Sequence, residues 1–116
     1  MPTQKPVVFP FECHFKNEKY DFKGKIMNMN HRGFICNIGA QVLKPSESLT
    51  AHIEFPLTSK KADVLVMVYK VYDKFKGSHG SVNPGDHLIE FIFKAPTYEF
   101  KSFLTQFMAH VQAYLV

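Results

Sequence analysis

The side chains with most chemical reach in this chain of 116 residues are one arginine, six histidines and two cysteines. Arg32 lies in the run Asn28-Met29-Asn30-His31-Arg32-Gly33, where backbone N–H groups, asparagine side chains and a guanidinium could converge on an anion. The same residue types also suit a plain connection between two strands, since Asn and Gly tolerate turn conformations. Cys13, His14, Cys36, His52, His79, His87 and His110 are all zinc-ligand types, but none falls in C-x-x-C or H-x-x-x-H spacing, so no metal site is expected. There is no Gly-x-Ser-x-Gly elbow, phosphate-cradling glycine loop or paired acid and base, so no catalytic residue is named and the chain is read as a non-enzyme. Lys16, Lys19, Lys23 and Lys25 read as a solvated strand face. A nucleic-acid surface would interleave arginines and stacking aromatics among such lysines, so nucleic acid is disfavoured.

The framework that must position these groups is a small globular one. With 46% hydrophobic residues, 21% charged and a net charge of +4, the chain can fold alone, and its length allows a single domain over residues 1–116. Phenylalanine supplies 12 residues and tryptophan none, so the core is aromatic through Phe. No run of about 18–20 uncharged apolar residues exists, and the first residues lack the apolar stretch of a secretory signal. The expectation is a cytoplasmic protein without a membrane span, its two cysteines reduced.

Hydrophobic periodicity lays out six strands and a helix. Phe9, Phe11, Cys13 and Phe15 alternate within residues 7–15, with Pro10 confining that strand to an edge or a start. Asn17-Glu18-Lys19 reads as a turn into a second strand over 20–29, and 34–38 as a third beyond the Asn28–Gly33 break. Leu49, Ala51, Ile53 and Phe55 alternate with polar residues in a one-sided fourth strand, and Ser59-Lys60-Lys61 reads as a polar connection. Residues 64–72, with the apolar run VLVMV, read as a central strand covered on both faces; 74–86 as a glycine-rich loop; and 87–93 as the last strand. From about Thr97 onward Phe100, Phe103, Leu104, Phe107, Met108, Val111 and Leu115 recur at helical spacing, with Pro96 at the entrance. The fold class is therefore an all-β antiparallel barrel, strands within 9–93, a linker over 1–8, and a helix over 97–116 packed on an opening or a face.

This order resembles the PilZ domain of bacterial cyclic di-GMP signalling over nearly the whole chain. That family is a six-stranded barrel with a C-terminal helix and carries [D/N]-x-S-x-x-G between its second and third strands. Asn28 and Gly33 match that motif, with Asn30 in the serine position. Leu88-Ile89-Glu90-Phe91-Ile92 is similar to the family's closing strand, commonly G-x-E-F. The family's upstream R-x-x-x-R, whose arginines embrace cyclic di-GMP, falls on Gln4 and Val8; Lys5 is the only cation there. Lysine lacks the bidentate fork and flat face of arginine, so losing the pair would weaken binding by about two to four decades.

The resemblance therefore implies an adaptor that acts through a protein partner in bacterial signalling or motility machinery. Cyclic di-GMP is bound weakly or not at all, and no other cofactor is implied. The ligand-binding residues it implies are Asn28, Asn30, Arg32, Gly33 and Lys5. A working cyclic di-GMP receptor using the same turn is the alternative, an unrelated barrel for single-stranded nucleic acid a second, and a homodimer stays open.

Overall fold

A computed structural model describes residues 11–72 and 86–115 of the chain. It contains β1 (Phe11–Lys16), β2 (Asp21–Met29), β3 (Gly33–Asn37), β4 (Ser48–Phe55), β5 (Lys60–Tyr72), β6 (Leu88–Phe93) and α1 (Tyr98–Leu115). Every strand pairing is antiparallel, and the order β1-β2-β3-β6-β5-β4 closes on itself through β1 and β4. Closure pairs His14–Lys16 of β1 with Thr50–His52 of β4, the strands that would otherwise be sheet edges.

Alternation along the strands decides which side chains enter the barrel. Cys13 and Phe15 of β1, Ile26 and Met29 of β2, and Phe34 and Cys36 of β3 are buried, as are Leu49, Ala51, Ile53 and Phe55 of β4. Phe15 stacks on Phe22 and Phe91 with centroids 5.2 and 4.9 Å apart, and Phe34 tilts against Phe91 at 5.3 Å. Aromatic pairs of this kind add about 0.5–1.5 kcal/mol each beyond their area burial.

The helix closes one side of this core. Thr97 caps it, its Oγ1 accepting from the Phe100 N–H at 3.1 Å. Phe100, Leu104, Phe107, Met108 and Val111 are buried. Phe100 meets Phe55 and Phe93, and Phe107 meets Phe11 and Phe55, all within 5.8 Å between centroids. The helix packs against β4 and β5.

Three sequence expectations change. β5 begins at Lys60, because Lys60 and Lys61 pair with Phe55 and Glu54; of the residues read as a connection, Lys60 and Lys61 are strand and only Ser59 stays in the turn. Leu65 is 45% exposed while Val64, Val66 and Val68 are buried, so the VLVMV run is covered on one face only. A one-layer barrel wall has an inside and a solvent side, with no second layer to cover it. Asn28 and Met29 belong to β2 and Gly33 to β3, which reduces the break to residues 30–32. The expected linker over 1–8, the start of the first strand at Phe9-Pro10 and most of the 74–86 loop lie outside the described residues. Among those described, no helix is long and apolar enough to cross a membrane.

Candidate functional site at the β2–β3 turn

The turn is built by Asn30. Its N–H donates to the Gly33 carbonyl at 2.9 Å, and its Oδ1 accepts from the N–H groups of Arg32 at 2.8 Å and Gly33 at 3.1 Å. The two backbone donors best placed to greet an anion are thus satisfied by the asparagine itself. The Arg32 carbonyl accepts from the Phe93 N–H at 2.9 Å, tying the turn to the end of β6.

Gly33 has a packing reason to be glycine. A Cβ there would lie 1.9 Å from the Phe91 carbonyl oxygen and 2.9 Å from the Ile92 Cα, so β3 and β6 approach too closely for any side chain. Asn28 lies just past a bulge. The β2–β3 register slips between Ile26 and Asn28, and Asn28 then pairs with Ile35 on the outer face.

These elements enclose a recess of about 200 Å³, lined by Asn28, Asn30, Arg32 and Gly33 together with Ile35, Glu90 and Ile92. Four of the five residues named from sequence therefore meet at one place; Lys5 lies outside the described residues. Glu90 was not among them. It comes from β6, opposite Ile35 on one side and Lys70 on the other, and its Oε1 accepts from the Tyr72 O–H at 3.1 Å. Burial, and then that hydrogen bond, push the Tyr72 phenol above its ordinary 10.0. Lys70 Nζ stands 4.9 Å over the Tyr72 ring. The recess thus holds one exposed guanidinium and one half-buried carboxylate. The only sequence signal for Glu90 was its place in the closing-strand segment.

Of the other candidate groups, His14 and His52 stand side by side on β1 and β4, with ring centroids 5.8 Å apart. Cys13 and Cys36 point into the barrel; burial pushes the Cys13 thiol up to about 12 and Cys36 well above 9.0, with Cys13 adding to the second shift. Both stay protonated and are poor ligands or nucleophiles. His87 Nδ1 lies 3.1 Å from the Gly39 carbonyl oxygen and His110 Nδ1 2.9 Å from that of Gln106. His79 lies outside the described residues. Among those described, no group of three or more His, Cys, Asp or Glu side chains is arranged to hold a metal ion by itself.

Comparison with family models, with curated proteins and with solved structures finds no match to this chain.

Proposed function

We propose that the chain is a PilZ-like, non-catalytic adaptor that acts by contact with a protein partner and has lost strong cyclic di-GMP binding. The observation that carries this reading is the composition of the recess at the β2–β3 turn. A cyclic dinucleotide brings two phosphates, and the recess answers with a single guanidinium while presenting the Glu90 carboxylate to the same space. Like charges at close range in a partly desolvated site oppose binding. The N–H groups of Arg32 and Gly33 already have their acceptor in Asn30. A volume of about 200 Å³ is also below the roughly 300–1,000 Å³ usual for small-molecule sites.

The adaptor half of the reading is supported by large apolar side chains left on the surface. Val42, Leu57, Tyr69 and Tyr98 are between 47 and 87% exposed. Calorimetric titration of the chain with cyclic di-GMP tests the proposal. Silence at high micromolar nucleotide is expected; micromolar or tighter binding would return the chain to the class of working receptors.

A further inference from the structure

The barrel wall made by β2, β1, β4 and β5 carries a second constellation, separate from the turn. Its outer face pairs opposite charges across strands: Glu12 opposes Lys25, and Glu54 opposes Lys61. Between these charge pairs lies a pair of histidines. His14 of β1 directly opposes His52 of β4, with ring centroids 5.8 Å apart and planes tilted by 43°. Two imidazoles placed opposite gain nothing from charge complementarity and repel when both are protonated.

Each ring has its own carboxylate. Asp21 Oδ1 bonds His14 Nε2, and Asp63 Oδ1 lies 2.7 Å from His52 Nδ1. In the neutral rings these carboxylates fix the tautomers, because a nitrogen facing a carboxylate carries the hydrogen. The lone pairs then fall on Nδ1 of His14 and Nε2 of His52, which have no hydrogen-bond partner among the described residues. A carboxylate on one imidazole nitrogen and a lone pair on the other is the arrangement that orients metal-ligating histidines.

We propose that His14 and His52 form a two-nitrogen site for a late first-row divalent cation, zinc or copper, with Asp21 and Asp63 as outer-shell carboxylates. Two imidazoles on one tetrahedral ion with metal–nitrogen bonds of about 2.1 Å have centroids roughly 5 Å apart. The centroids stand at 5.8 Å, and the two side chains are 40 and 39% exposed, which leaves both rings room to turn. With no third protein ligand among the described residues, water completes the shell. Imidazole donors select zinc and copper over calcium and magnesium, which prefer oxygen. Lys23 lies opposite His14, and Lys16, two pairs further along β1, lies opposite Asp21.

The probe is zinc chloride, titrated calorimetrically into the whole chain and into His14→Ala, His52→Ala and Asp63→Asn variants whose unfolding curves show them folded. One ion per chain is expected, bound at least tenfold more weakly by either histidine variant and about tenfold more weakly by Asp63→Asn. In the wild-type chain, zinc should move the ring ¹⁵N resonances of His14 Nδ1 and His52 Nε2. No binding at micromolar zinc, binding unchanged in either histidine variant, or an ion on the nitrogens that face the carboxylates would each overturn the proposal.

Discussion

At the residue scale, folding requirements explain Gly33, one of the two matched positions of the turn motif, and Asn30, which stands where the motif has serine. Asn30 supplies the oxygen that organises the turn, and Gly33 supplies the space for β6. Gly33→Ala should therefore cost about 2–4 kcal/mol in urea unfolding, since the methyl group would meet backbone that cannot rotate away. Gly39 makes the contrast. It has a φ of 62° and nothing within 4 Å of an added Cβ, so Gly39→Ala should cost only about 1–2 kcal/mol, from backbone strain alone. Equal costs at the two sites would mean that β3 and β6 are not in such close contact.

Protonation acts at this scale too. Asp21 is held below its ordinary 3.8, chiefly by its hydrogen bond with His14, and Glu47 below 4.5, chiefly by the Lys44 N–H and then by the Tyr20 O–H. The unfolded chain binds these protons more readily, so the contribution is complete above the ordinary values and lost as pH falls through the lowered ones. The urea midpoint should fall below about pH 4, and Asp21→Asn with Glu47→Gln should flatten that fall. An acid limb unchanged in the double variant would remove these two carboxylates from the account.

At the element scale, the helix holds the barrel's open side through a stripe that was legible from spacing alone. Of its seven positions, Phe100, Leu104, Phe107, Met108 and Val111 are buried and Phe103 is half-buried, while the Leu115 side chain lies outside the described residues. Leu104→Ala or Phe107→Ala should cost about 2–5 kcal/mol, read from denaturant midpoints at unchanged m value. Unchanged midpoints in both would show the stripe to be dispensable to the core. Strand limits were less legible. Lys60, Lys61 and Asp63 are exposed, and a charged strand start looks like a connection until the partner strand is known. The bulges between Ile26 and Asn28 and between Val68 and Lys70 were hidden for a related reason. A period-two pattern cannot reveal one extra residue before the opposing strand sets the register.

At the scale of the whole molecule, six strands and a helix could be read from alternation, but the groups that closure brings together could not. Glu90 reaches the Arg32 recess only because β6 pairs with β3, and His14 meets His52 only because β1 pairs with β4. Neither pair has a spacing in sequence that marks it. Under the proposed function, the turn is half of a former nucleotide site that lacks strong affinity because the upstream arginine pair is absent. The most direct measurement is the affinity for cyclic di-GMP of the wild-type chain and of a Gln4→Arg, Val8→Arg double variant, with GTP as control at one salt concentration. A silent wild type is expected, with a gain of about 10- to 100-fold in the variant, confined to cyclic di-GMP, because Asn30 and Glu90 still limit the site. Tight binding by the wild type, or a gain shared equally by GTP, would contradict that expectation.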